Sequence, residues 1–161
     1  MIVPTLVLVV LMSITTESAK CPNGWITYDN SCYRLFRKTH QAWPEAVFEC
    51  EKHDALLASF ETKAENIHIQ DMMEVFNVGK TDNVWIGLSD VREEGNFVWE
   101  STRQKATYLP WGKHEPNQAT IQEDCVMLYG RQDHTFSDDA CTQKYSYLCE
   151  KPLDGGLPII G

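Results

Sequence analysis

His114-Glu-Pro-Asn-Gln-Ala-Thr-Ile-Gln-Glu-Asp-Cys125 places three carboxylates, an Asn and a proline in one short run that ends at a cysteine. The run is too polar for a core element and too short for an acidic tail. What it offers is oxygen. Calcium takes about six to eight oxygen ligands from carboxylates, amides, carbonyls and water. Glu115, Asn117, Glu123 and Asp124 supply that chemistry from one loop, and Asp138 with Asp139 supplies more just before Cys141. Pro116 has its own part, because X–Pro bonds reach the cis form for about 0.5–1 kcal/mol. A cis Glu115–Pro116 bond would turn the carbonyls of Glu115 and Asn117 to the same side. The competing reading is a solvated acidic loop. An amide between carboxylates, the proline and the bracketing cysteines favour a metal. The EF-hand spacing is absent, so the calcium architecture is of another kind.

The whole chain is consistent with such a site outside the cell. Its 161 residues suit one domain. MIVPTLVLVVLM at the start is apolar apart from Thr5 and is followed by the small, polar run SITTESA. That predicts a secretory signal peptide over residues 1–19, cleaved after Ser18 or Ala19. The apolar run falls short of the roughly 20 residues that span a bilayer, and no later stretch is longer, so membrane insertion is not expected. The net charge of −9 disfavours nucleic acid and anionic membranes as partners. Six cysteines follow the leader: Cys21, Cys32, Cys50, Cys125, Cys141 and Cys149. An even count behind a signal peptide reads as three disulfides, with fifteen possible connectivities. Zinc is the poorer reading, since no C-x2-C pair occurs and no His stands at ligand spacing.

Local patterns divide the chain in two. Residues 21–36 read as a hairpin turning at Tyr28-Asp-Asn-Ser31, with Trp25, Tyr33 and Phe36 on its apolar faces. Trp43, Val47 and Cys50 fall at i, i+4, i+7 and predict a helix over about 43–53, Pro44 being tolerated in its first turn. ALLASF (55–60) is a short extended run. Thr62-x-x-Glu65 forms a capping box for a second helix, whose Ile69, Met72, Met73 and Phe76 share a core-filling face. After Val84 the pattern changes to short strands, VWIGL, NFVWE, DCVMLY and YSYLCE, separated by polar loops over 101–124 and 130–140. The tail, 152–161, suits neither helix nor strand and is expected to be flexible. Helices early and strands late indicate an α+β domain. Trp85, Trp99 and Trp111 alternate with polar neighbours and read as core, not as sugar platforms. His114 reads as a surface residue, and His40, His53, His68 and His134 match no metalloprotease or triad pattern.

Taken together, Trp85-Ile-Gly-Leu88, Gly95 with Trp99, Trp111, Glu115-Pro-Asn117, Glu123-Asp-Cys125, Phe136-Ser-Asp138 and the six cysteine spacings resemble a long-form C-type lectin domain. The resemblance covers residues 21 to about 151, and the domain is assigned to residues 20–151. It implies a fold of two helices and short antiparallel strands with a long calcium-binding loop region. It also implies the pairs Cys21–Cys32, Cys50–Cys149 and Cys125–Cys141. The last pair would draw the two acidic stretches together. The middle pair closes a loop of about 100 residues, a constraint that contributes about 4–5 kcal/mol on the chain-entropy account.

In sugar-binding members of the family, the principal calcium is held by an E-P-N motif, a later Glu and a W-N-D motif. Carried over, these are Glu115, Asn117, Glu123, Ser137 and Asp138, with Ser137 where the family has Asn and Phe136 where it has Trp. Asp139 is near enough in sequence to compensate for Ser137. Of these, Glu115, Asn117, Glu123 and Asp138 would also hold the carbohydrate. A second, auxiliary calcium would use Asp90, Glu94 and Asp124, with Gln118 where an Asp is common. E-P-N implies sugars with equatorial 3- and 4-hydroxyls, hence mannose-type glycans or polysaccharides.

The expected function is that of a secreted, calcium-dependent lectin. It would bind without turnover, have a place in pathogen recognition by family habit, and gain avidity as a homo-oligomer. A matrix, mineral- or protein-binding module of the same fold is the alternative. A secreted zinc hydrolase ranks far below both.

Overall fold

The computed structural model describes residues 20–117 and 122–153. The expected leader, Gln118 and residues 154–161 of the expected tail lie outside them. The hairpin forms where the turn signal sits. Strand β1 (Ile26–Tyr28) pairs antiparallel with β2 (Ser31–Gln41), and Asp29 takes a left-handed φ of 48° at the turn between them. Helix α1 (Trp43–Glu51) starts with Pro44 in its first turn, where a missing N–H costs nothing. It stops two residues short of the expected end. ALLASF contributes only the two-residue strand β3 (Leu56–Leu57).

Helix α2 (Lys63–Val75) opens on the capping box: the Thr62 hydroxyl accepts from the Glu65 N–H at 3.2 Å. The Glu65 carboxylate reaches back one residue further than the motif requires, to the Glu61 N–H at 3.0 Å. Its other oxygen accepts from the Tyr33 hydroxyl at 2.6 Å, which ties α2 to β2.

The second half supplies β4 (Val84–Ser89), β5 (Val98–Trp99), β6 (Cys125–Tyr129), β7 (Thr135–Asp139) and β8 (Tyr145–Pro152). The strands run β1-β2-β8-β4-β6-β7 across one sheet, with β3 attached to β8 and β5 to β4. Two expectations need correction. The stretch 130–140 is not a loop, because Thr135–Asp139 pairs residue for residue with Cys125–Tyr129. The sheet is also not wholly antiparallel: β4 and β8 run parallel, Val84 opposite Ser146 and Trp85 opposite Tyr147.

Period-two alternation sorts the core onto the two sheet faces. Ile86, Val126, Leu128 and Leu148 pack with Ile69, Met72 and Met73 of α2. Trp85, Met127, Tyr147 and Cys149 pack with Trp43, Ala46 and Cys50 of α1. Trp85 and Trp99 are fully buried, and Trp111 packs edge-on against Phe97 and Phe136, so all three serve the core. Gly87 is where two segments meet backbone to backbone. Its N–H donates to the Ala58 carbonyl at 2.8 Å, and a Cβ there would stand 2.6 Å from the Leu57 carbonyl oxygen.

Three disulfides close the frame: Cys21–Cys32 within the hairpin, Cys50–Cys149 from α1 to β8, and Cys125–Cys141 from β6 to the turn before β8. There are no free cysteines among the described residues.

Candidate functional site

Among the described residues, seven polar or charged side chains are buried, and Asp90, Glu123, Ser137 and Asp138 are four of them. Burying a carboxylate is costly unless something compensates its charge, so this concentration marks the site. Ser137 and Asp138 sit in β7, opposite Met127 and Val126 of β6. The Cys125–Cys141 bridge closes one end of that strand pair, where Cys125 lies opposite Asp139. The segment ending at Asn117 meets β7 from outside: the Glu115–Pro116 bond is cis, and the Asn117 N–H donates to Asp138 Oδ1 at 3.2 Å. The Asn117 amide donates to Glu115 Oε2 at 2.6 Å. Glu115, Asn117, Glu123, Ser137 and Asp138 thus line one polar cleft of about 340 Å³.

The electrostatics of that cleft are unbalanced. Burial, and then the facing Asp138 carboxylate, push the Glu115 carboxyl up to about 7, against hydrogen bonds from Asn117 and Ser137 that favour the charged form. Two carboxylates in contact share either a proton or a cation. Asp138 Oδ2 is buried and has no hydrogen-bond partner among the described residues. A lone buried carboxylate oxygen beside a second carboxylate, an amide and a hydroxyl is a donor set suited to a hard divalent cation. It is not a cage of acidic side chains: among the described residues no three His, Cys, Asp or Glu converge on one point. Ser137, where an Asn was expected, points its hydroxyl at the Asp138 carbonyl (3.3 Å) and toward Glu115. Asp139, its neighbour across Asp138, lines the same cleft. One Asp139 oxygen accepts from the Ala140 N–H at 2.7 Å and the other from the Tyr145 hydroxyl at 2.6 Å, so both are committed elsewhere.

Asp90, Glu94 and Asp124, the residues expected at an auxiliary site, stand near one another. Asp90 Oδ2 accepts from the Gly95 N–H at 2.8 Å, and the Asp90 N–H donates to the Asp124 carbonyl at 3.1 Å. Burial, then the charges of Glu94 and Asp124, push the Asp90 carboxyl up to about 6, with the Gly95 hydrogen bond opposing. Its Oδ1 is buried with no hydrogen-bond partner among the described residues. His114 is exposed, as its sequence context suggested.

The cleft also contains residues that no sequence pattern singled out. Thr81, Asn83, Tyr129, Arg131 and Tyr145 form its other wall. They come from three separated segments, and only the strand pairing brings them together. The one local hint is Gly130, whose missing side chain lets the β6–β7 turn seat against the 79–82 backbone.

Comparison with known proteins agrees with this arrangement. The sequence profile of the "Lectin C-type domain" matches residues 39–151. A C-type lectin galactose-binding isoform from Hoplocephalus stephensii is 32% identical over 89% of this chain and 91% of its own. A C-type lectin mannose-binding isoform from Oxyuranus scutellatus is 31% identical over 83% and 85% respectively. Among solved structures, the C-type lectin CEL-I from Cucumaria echinata superposes with a TM-score of 0.74 at 25% identity, covering 81% of this chain and 96% of its own. With the profile spanning both helices' connections, all of β4 to β7 and nearly all of β8, and with the three bridges in place, the chain belongs to the C-type lectin family.

Proposed function

We propose that this protein is a secreted, calcium-dependent lectin for mannose-type glycans, binding them without chemical turnover. The observation that carries the reading is the buried, unpartnered Oδ2 of Asp138 beside Glu115 in a cleft that also holds Asn117, Glu123 and Ser137. Glu115, Asn117, Glu123 and Asp138, with Ser137, would hold the ion; Asp90, Glu94 and Asp124 would hold an auxiliary one. Bound there, calcium offers coordination positions that two neighbouring sugar hydroxyls fill in place of water. The protein groups orient those hydroxyls: the amide of Asn117 donates to one, and the carboxylates of Glu115, Glu123 and Asp138 accept. The order Glu-Pro-Asn sets which hydroxyls match, and it supports equatorial 3- and 4-hydroxyls. No helix among the described residues is long and apolar enough to cross a membrane.

A shallow site that fixes one sugar by two hydroxyls binds weakly, so function in pathogen recognition would draw on homo-oligomers and repeated glycans. Ser137 favours a second reading, a module for matrix, mineral or protein that dispenses with sugar, because its short hydroxyl replaces the family's Asn at the ion. A glycan array run with and without calcium separates the two. Mannose-type spots that bind with calcium and clear with EDTA are the expected result. Binding to no glycan, or binding untouched by chelator, overturns the proposal.

A further inference from the structure

The cleft extends beyond the groups that face Glu115 and Asp138. Its second wall is built, not incidental. A Cβ on Gly130 would lie 2.6 Å from the Asp82 carbonyl oxygen and 2.8 Å from that of Gly79, so the β6–β7 turn rests directly on that backbone. The Gly130 N–H faces Asn83 Oδ1 at 3.4 Å, and the Asn83 side chain also hydrogen-bonds the Tyr145 phenol oxygen, which in turn donates to Asp139. Behind the wall, Arg37 fixes Asp82 at 3.1 Å.

Arg131 stands on this wall, exposed to solvent. Four carboxylates line the same cleft: Glu115, Glu123, Asp138 and Asp139. Arg131 belongs to none of the ion pairs Arg37–Asp82, Lys52–Glu49 and Arg103–Glu100. A guanidinium not in such a pair retains its planar set of donors for an anion arriving from outside. Tyr129, next to it, adds a phenol to the same wall.

We infer that this wall is a second subsite, in which Arg131 takes an anionic substituent, a carboxylate or a sulfate ester, on the sugar residue adjoining the one held at Glu115 and Asn117. The inference rests on the cleft being a sugar site. It makes the preferred glycan an acidic one and makes Arg131 a specificity-determining residue. Charge-assisted hydrogen bonds from one guanidinium correspond to a gain of about tenfold or more, reduced at high ionic strength because the side chain is exposed.

The test measures affinities of wild type and Arg131→Gln, with calcium, for mannose-type disaccharides matched in all but the second residue: neutral, carboxylated or sulfated. Wild type should favour at least one anionic ligand over the neutral one by about tenfold. That ratio should fall to near one in Arg131→Gln. The arm with the larger gain identifies the anion, since a carboxylate matches the guanidinium in bidentate fashion. Equal affinity for neutral and anionic ligands in wild type overturns the subsite and leaves the sugar site standing. A preference that survives Arg131→Gln overturns the role of Arg131. Binding of no ligand by wild type overturns both.

Discussion

Asp138 carries more of this site than any other residue, and its surroundings make sharp predictions. In Asp138→Ala the rise in melting temperature on adding calcium should vanish. In wild type, calcium bound as proposed would add about 2.7 kcal/mol of stability at about 100 times its Kd, and differential scanning calorimetry with and without EDTA reads the difference. Glu115 predicts a pH dependence. Its carboxyl, ordinarily near 4.5, is pushed up to about 7 in the metal-free fold. The folded state therefore binds that proton more tightly than the unfolded chain does. The resulting stabilisation is complete below 4.5 and is lost as pH rises through about 7. Calcium held as proposed would compete for the same oxygens, so its affinity should climb over that same range and level off above it. Calcium titrations at pH 5.5 and pH 8 should show the weaker uptake at pH 5.5. The identities of Glu115, Asn117 and Glu123 were readable from residue type and spacing alone. The burial of Asp138 was not, because Thr-Phe-Ser-Asp-Asp reads as polar loop until β6 is placed beside it.

Elements recorded their ends in the sequence better than their partners. The Thr62 cap was legible because a hydroxyl three residues before a Glu answers the unpaired N–H groups of a helix start. Thr62→Ala should cost about 1 kcal/mol, seen as a lower denaturant midpoint with unchanged slope. Gly87 gave no such signal. The tetrapeptide Trp85-Ile-Gly-Leu88 announces a buried strand, but only the structure shows the Leu57 carbonyl filling the space a side chain would need. Gly87→Ala should therefore destabilise by about 1–3 kcal/mol through overpacking, measured by equilibrium unfolding. Strand β7 went unread for a related reason. Both of its faces are buried at the centre, with Ser137 on one and Asp138 on the other, so the hydrophobic alternation that identifies strands is replaced by polar side chains. The wall of Thr81, Asn83 and Arg131 was equally silent, since strand order, not local pattern, assembles it.

At the scale of the molecule the cysteines were the most informative residues, since their even number anticipated a stapled fold of modest size. The bridge between Cys50 and Cys149 joins residues 99 apart in sequence. Replacing both with Ala should lower stability by about 2–5 kcal/mol, measured by denaturant unfolding of the oxidised proteins. The parallel run of β4 beside β8 was not legible, because it joins segments remote in sequence that no turn connects. That central strand β8 also settles how the molecule is presented. It begins at Tyr145 in the cleft wall and ends at Pro152, which pairs with Ser31, while the Leu153 N–H donates to the Asn30 carbonyl at 2.7 Å. Eight residues of strand, at about 3.3 Å each, separate the cleft from this exit by roughly 23 Å. Cys21, bridged to Cys32 opposite Lys151, and Leu153 thus stand at one end of β8, while the cleft proposed for glycan stands at the other. A bead, a fluorophore or a fused partner attached beside Asn30 or Leu153 would leave the cleft facing outward and unobstructed.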